Sequence, residues 1–456
     1  MQKASSWATI WPPITLAVLA ELARLKGEVR LLDGNVEGMS QDGLIAELRD
    51  FRPDLVVINT GFPSIDEDML VARKIKETFP ELKILAFGVF FTLLGEESIR
   101  QYPFLDFALK GEPEGTFREL SEILAGGAAD FSRVQGLMYM DAKGVRVNGD
   151  RPLVQELDSI PFPARDLLKN DRYRLPHNDK TFTLVNVARG CPFPCIYCIV
   201  QPYYGAKVRK HSVDYVMREI RECVERHGVQ EFLFWEEVFT LDRAYAFELC
   251  DAIIRNGFSF QWAATTRVGL LDEELLRKMK DAGCYLLGLG IESGVQEILD
   301  NARKKQTLDD IRKAVALCQK TGIRTMGHFI FGLPGETKET AERTIRFMLE
   351  LGLDYMQSYC AVPYPKTEFG DMAREKGWIK PVPWSQYDFG GVSIVDTGTL
   401  TPDDITYFRE KAFRKFYYRP LYLLKKVREF SLSRLFTLSK FKHWMNSRQK
   451  QRKVAV

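Results

Sequence analysis

Residues 188–198 read Ala188-Arg189-Gly190-Cys191-Pro192-Phe193-Pro194-Cys195-Ile196-Tyr197-Cys198. An apolar run at 184–187 precedes them, so three cysteines spaced C-x-x-x-C-x-x-C leave a strand end on one Gly- and Pro-bearing loop. Downstream, strand patterns recur at 231–235, 260–264, 285–290, 325–331 and 355–362, with helical periods between them, as at 213–227, 272–282 and 307–321. Six β/α units over about 190 residues predict a partial (β/α)6 TIM-like barrel, short of the usual eight strands, with its active face at the C-terminal strand ends. The cysteine loop is expected on that face.

Three thiolates from one loop narrow the chemistry. A structural zinc site closes four ligands, and the next Cys or His after this loop is His211. An iron–sulfur cube on three thiolates leaves one iron open to an exogenous chelate. Zinc and inert buried thiols are the alternatives, and the iron–sulfur cluster is the favoured reading. The other five cysteines, at 223, 250, 284, 318 and 360, stand alone in helix or strand patterns and read as small core residues. This usage points to a reducing cytoplasm rather than a disulfide framework.

Upstream, residues 11–125 alternate strand patterns at 29–32, 55–59, 83–87 and 107–109 with helical periods at 14–26 and 66–78. That alternation predicts an open parallel sheet of Rossmann-like, flavodoxin-like type with ligands at its carboxyl ends. Loops leaving those ends carry Asn59-Thr60-Gly61, Gly88 to Thr92 and Gly111-Glu112-Pro113-Glu114. Residues 126–180 read as a linker with a small hairpin around Asp141 to Gly144, and 376–456 read mainly as helices. The expected organisation is therefore 1–125, 126–180, 181–375 and 376–456. The 456 residues are 45% apolar and 27% charged, which excludes disorder, collagen and coiled coil as descriptions of the whole chain. Residues 7–20 are apolar, but Pro12-Pro13 interrupts them and no cleavage site follows, so they are not read as a secretory signal.

The cysteine spacing, with Tyr197 before the last cysteine, resembles the radical S-adenosylmethionine superfamily. The resemblance implies a 4Fe–4S cluster on Cys191, Cys195 and Cys198, its open iron chelated by S-adenosylmethionine. One electron would then cleave that cofactor to methionine and a hydrogen-abstracting 5′-deoxyadenosyl radical. Further motifs agree. Glu236-Glu237-Val238-Phe239 stands where relatives carry an acidic pair before a phenylalanine, implying a contact to the methionyl ammonium. Glu292-Ser293-Gly294 ends a strand as in the family's G-I-E-S signature, which places Glu292 for ribose hydroxyls and Ser293 beside it. Phe331-Gly332-Leu333-Pro334-Gly335-Glu336-Thr337 is a family-like turn, Gly332 serving backbone geometry first and cofactor approach second. Arg267 reads either as balancing cofactor charge or as a surface ion pair.

The amino-terminal domain resembles the cobalamin-binding branch of this superfamily, through Pro12-Pro13, Arg52-Pro53-Asp54, the Gly111-Glu112-Pro113-Glu114 turn and Leu157-Asp158-Ser159-Ile160-Pro161-Phe162-Pro163. Phe416-Tyr417-Tyr418-Arg419-Pro420 is similar to relatives acting on hopanoids and tetrapyrroles. The resemblance implies cobalamin contacts at Thr60, Gly88, Thr92, Gly111 and Glu112. Two departures stand out. No histidine precedes His177, so cobalamin would lack a histidine lower ligand. The chain also begins where relatives have completed a first strand, which reads as a four-stranded remnant or a misassigned Met1.

From Arg419 onward eleven Lys or Arg face the single acid Glu429, mixed with Phe, Tyr, Leu and Trp. This tail reads either as a helix packed on the barrel with a solvated edge, or as a peripheral contact with the inner face of the membrane. The rest of the chain is acidic, so no nucleic acid is expected. Together these features imply a cytoplasmic, cobalamin-dependent methyltransferase acting on an unactivated carbon of a small hydrophobic or lipid-like substrate. Its electron donor would resemble flavodoxin or ferredoxin. A radical cyclase, oxidase or rearrangement enzyme, and a non-catalytic iron–sulfur scaffold, are the rival readings.

Overall fold

Hydrogen bonding sorts the strands of the computed structural model, which describes residues 10–127, 130–420 and 422–424, into two sheets and a short ribbon. The first sheet runs β1 (Leu55–Asn59), β2 (Lys83–Phe87), β3 (Phe107–Leu109), β4 (Leu137–Asp141) and β5 (Gly144–Val147), in that spatial order. β1 to β3 are parallel, and the β4–β5 hairpin adds antiparallel to β3. Next come β6 (Phe182–Asn186) and a ribbon of β7 (Ala188–Arg189) against β8 (Arg209–Lys210). β9 (Glu231–Trp235), β10 (Gln261–Thr266), β11 (Cys284–Glu292), β12 (Arg324–Phe331) and β13 (Tyr355–Cys360) complete the chain. β6 and β9 to β13 form one parallel sheet in sequential order, the expected partial barrel.

Strands buried on both faces need apolar residues at every position, not alternate ones. In β2, Ile84 and Ala86 enter one core cluster while Leu85 and Phe87 enter another. In the barrel, Leu287, Leu289, Phe329 and Phe331 face the helices. Those helices begin with side-chain caps: Ser212, Asp242, Asp272, Thr307 and Thr337 each accept a hydrogen bond from a backbone N–H of the first turn. An aromatic knot of Phe62, Phe90, Tyr364, Trp384 and Tyr387 ties the first sheet's helical layer to the segment after the barrel.

Three expectations need correction. Residues 29–32 form no strand: Leu31 is buried against Ala164, Leu168 and Tyr173 rather than paired, and β1 is the edge of its sheet among the described residues. The hairpin assigned to the linker belongs to the first sheet, because Phe107 to Leu109 offer β4 a free edge. After the barrel, the α-helices among the described residues are Glu368–Glu375 and Pro402–Tyr417, with residues 422–424 also helical; between the two, apart from one short 3-10 turn at Trp384–Gln386, Pro381, Pro383, Gly390, Gly391 and Gly398 hold the chain in irregular structure. The basic tail beyond 424 lies outside the described residues.

Candidate functional site

The cysteine loop is closed at its base by the β7–β8 ribbon. Gly190 has φ +98°, and a Cβ there would lie 2.4 Å from the Lys207 carbonyl oxygen, so only glycine fits. Cys191 N–H donates to Gly205 O, and the Gln201 side-chain amide donates to the carbonyls of Cys191 and Phe193. Ile196 N–H reaches Ala302 O, and Ile196 O receives Phe369 N–H, which pins the loop to two neighbouring segments. Cys191 is buried, while Cys195 and Cys198 are partly exposed. Burial pushes the Cys198 thiol up to about 12 and raises Cys191, with the neighbouring sulfurs adding to both. Arg267 stands 3.7 Å from Cys195 Sγ with its guanidinium over the Phe193 ring, and it is buried, so the surface ion-pair reading falls. No group of three or more His, Cys, Asp or Glu among the described residues is set for a single metal ion. The remaining five cysteines are all buried.

The acidic pair sits beside this loop. Thr265 Oγ1 donates to the Glu236 carbonyl and Phe239 N–H donates to Thr265 O, so β10 anchors the turn after β9. Burial, reinforced by the neighbouring Glu237, pushes Glu236 up to about 8, and burial pushes Glu237 up to about 7. One carboxyl oxygen of each is buried without a hydrogen-bond partner. Buried polar atoms are nearly always satisfied, so the orphaned oxygen of Glu237, the one of the pair whose charge acts on Cys191, fits a cationic ligand such as an ammonium, while Glu236 is surrounded by Lys210 and Asp242.

The other expected cofactor contacts divide. Glu292 ends β11 at φ +67°, buried, with Oε1 accepting from Lys304 Nζ at 2.6 Å. Burial raises the Tyr197 hydroxyl well above its ordinary value, and the neighbouring charge of Glu292 adds to that. Ser293 is fully buried and turned toward Thr344, 3.0 Å away, so it braces a helix rather than lining the site. Gly332 packs against Ile405, and its N–H donates to Glu336 Oε2 at 2.5 Å, which makes it a turn residue.

A cleft of about 1730 Å³ runs along the open edge of β1 and, at the carboxyl end of that strand, reaches the barrel side. Asn59, Thr60, Gly88 and Val89 line one side, and Asn186, Tyr203, Tyr204, Trp235 and Glu237 the other. Gly88, at φ +134°, carries no Cβ because one would lie 1.9 Å from Thr60 O. Thr92 Oγ1 donates to Gly88 O and accepts from Gly111 N–H, so both residues brace the turn from behind. Glu112 is spent elsewhere: it accepts from Arg209 Nη1 at 2.8 Å, Arg189 Nη1 at 3.1 Å and Val154 N–H at 2.7 Å. Arg189 also pairs with Glu114 at 2.6 Å. This buried network bolts the first domain to the ribbon beneath the cysteine loop. Sequence reasoning missed Arg189, Arg209, Glu114 and Lys304, since nothing local marks a charge whose partner lies far along the chain.

The B12 binding domain model matches residues 4–121, and the radical SAM superfamily model matches residues 185–348. A methyltransferase of Pyrococcus horikoshii, described as uncharacterized, is 32% identical over 421 residues, spanning 92% of this chain and 91% of its own. The chain belongs to the cobalamin-binding radical S-adenosylmethionine family. It is a radical S-adenosylmethionine enzyme, which removes the scaffold reading. Within the family, the anaerobic magnesium-protoporphyrin IX monomethyl ester cyclase of Rubrivivax gelatinosus is 29% identical, covering 83% of this chain and 69% of its own. The radical S-adenosylmethionine methyltransferase TsrM from Kitasatospora setae, solved with cobalamin and a 4Fe-4S cluster, shares the fold with a TM-score of 0.69 and 20% identity, covering 82% of this chain and 78% of its own.

Proposed function

We propose that the chain is a cobalamin-dependent radical methyltransferase acting on an unactivated carbon of a hydrophobic substrate. The observation that carries this reading is a cleft whose lining takes in both the glycine-floored turn at Gly88 and, from the barrel, Glu237. When bound, the cluster supplies the electron that cleaves S-adenosylmethionine to a hydrogen-abstracting deoxyadenosyl radical, and cobalamin carries the methyl group. Cys191, Cys195 and Cys198 hold the cluster in this proposal, and the Glu236–Glu237 pair receives the methionyl ammonium through Glu237. Tyr197, next to Cys198 in the loop, helps to keep water from the cluster. Glu292 is held by Lys304, so its free oxygen is the one left for a ribose hydroxyl. Thr60 and Gly88 form the cobalamin wall, with Thr92 and Gly111 supporting them and Glu112 setting the spacing to the barrel. Among the described residues no histidine lines the cleft, so none would be available there as a lower ligand to cobalamin.

Reduced enzyme given S-adenosylmethionine and substrate should form 5′-deoxyadenosine and S-adenosylhomocysteine in equal amounts. Deoxyadenosine without homocysteine product would favour the cyclase or oxidase reading, which the cyclase relative supports. A flavodoxin or ferredoxin is the proposed electron donor. No helix among the described residues is long and apolar enough to cross a membrane. Peripheral contact through the tail is proposed separately, and liposome sedimentation with and without residues 419–456 tests it; equal binding by the two forms removes the idea.

A further inference from the structure

Successive side chains of a strand point to opposite faces. In β10 to β13 one set enters the core beneath the helices, and the other set faces away from them. Toward the N-terminal strand ends this second face is apolar, with Ala263, Leu286 and Met326 packed beside Leu233 and Tyr355. One residue pair further up, it turns polar: Gly288, His328, Gln357 and Tyr359 follow in the same alternation, with His328 in register with Gln357 and Ile330 with Tyr359.

Three of these side chains form a directional chain. The Tyr359 hydroxyl donates to Gln357 Oε1. A hydroxyl has one proton, so toward His328 Nδ1, 3.0 Å away, it can only accept. With the Gln357 amide oxygen turned to that hydroxyl, the imidazole proton lies on Nδ1 and Nε2 is the acceptor. The imidazole and phenol rings lie nearly parallel, at 8°. Desolvation lowers His328 to about 4, consistent with a neutral ring. Gly288 lets the ring lie across β11: a Cβ there would be 2.8 Å from Nε2, and its backbone is not left-handed, so space alone explains the glycine. The nearest charges, Glu292 and Lys304, are already paired with each other.

We propose that His328, oriented by Tyr359 and Gln357, is a substrate-recognition subsite: Nε2 accepts a hydrogen bond from an O–H or N–H of a substrate whose apolar skeleton rests on the Ala263, Leu286 and Met326 layer. The inference rests on the barrel being the reaction chamber of the proposed methyltransferase, and it narrows the substrate class to apolar molecules that carry one hydrogen-bond donor.

A matched pair of probes tests it. 4-Fluorophenol and 4-fluoroanisole share a ring, and only the phenol donates. Fluorine NMR titration of the reconstituted holoenzyme should show the phenol binding roughly fivefold tighter or more. Its bound resonance should broaden further when the cluster is reduced and paramagnetic. His328→Phe should abolish the preference while anisole binding persists, His328→Gln should restore it by keeping an acceptor, and Tyr359→Phe should weaken it. Equal affinity of the two probes for the wild type, or a preference that survives His328→Phe, overturns the subsite. Deoxyadenosine formation by the same preparation is measured in parallel, and its absence fails the reaction class, independently of the probe result.

Discussion

Replacing Glu112 by Gln should cost about 3 to 5 kcal/mol of stability, the usual loss when one partner of a buried ion pair is removed. Three donors converge on this buried carboxylate, two of them from buried arginines on the ribbon below the cysteine loop. Gln keeps an acceptor for Val154 but removes the charge, which leaves Arg209 with only the carbonyls of Val154 and Tyr204. Arg189 retains Glu114, so the lower end of that range is expected. Thermal unfolding of the apoprotein at pH 7 should then fall by roughly 10 °C, at about 2–4 °C per kcal/mol for a domain of this size. Burial raises Glu112, but the hydrogen bond from Arg209 and the charge of Arg189 outweigh it, so its folded value lies below the ordinary 4.5. A group shifted down stabilises the fold above its unfolded value and loses that contribution as pH falls through the folded one. The gap between wild type and variant should therefore be full at pH 7 and shrink in acid. A drop in melting temperature under about 2 °C at pH 7, or a gap that widens in acid, would refute the reasoning.

Cys198→Ala should abolish iron incorporation and the reduced-cluster EPR signal, while Cys223→Ala, in the core, should retain both at some cost in stability. Gly190→Ala places a Cβ 2.4 Å from Lys207 O at φ +98°; it should lower iron per chain after reconstitution and cost about 1–3 kcal/mol of backbone strain. Glu236 has a folded value of about 8 against an ordinary 4.5, so its contribution is present at low pH and lost as pH rises toward 8. Apoprotein Glu236→Gln should accordingly melt above wild type at pH 8, with the advantage vanishing by pH 5, as the wild type loses roughly 1.4 kcal/mol per pH unit between those limits. Melting curves that stay parallel across that range would remove the assignment.

What sequence reading recovered follows from the range over which each feature is encoded. The barrel strands were legible because each is a short apolar run between helical periods, and β9 appears at 231–235 with the very bounds expected. The cysteine loop was legible because its chemistry is a spacing within eleven residues. Residues 29–32 misled for the complementary reason: a strand exists only where a neighbour offers its edge, and Leu31 finds a hydrophobic pocket instead. The β4–β5 hairpin was visible as a hairpin, yet its sheet depended on β3, about thirty residues earlier.

The charged residues carry the larger lesson. Outside a motif, Arg or Lys reads by default as a solvated side chain, yet Arg165, Arg189, Arg209, Arg267 and Lys304 are all buried. Arg189, Arg209, Arg267 and Lys304 each touch the cysteine loop, its supporting ribbon or the Glu292 turn. Hydrophobic burial is non-directional and tolerates small slips between two domains. A carboxylate shared by two guanidiniums and a backbone N–H tolerates little. Chemistry across a cleft needs its two walls at one separation, so the residues that hold that separation are polar, buried and distant in sequence. Those three properties together are what a local pattern cannot display.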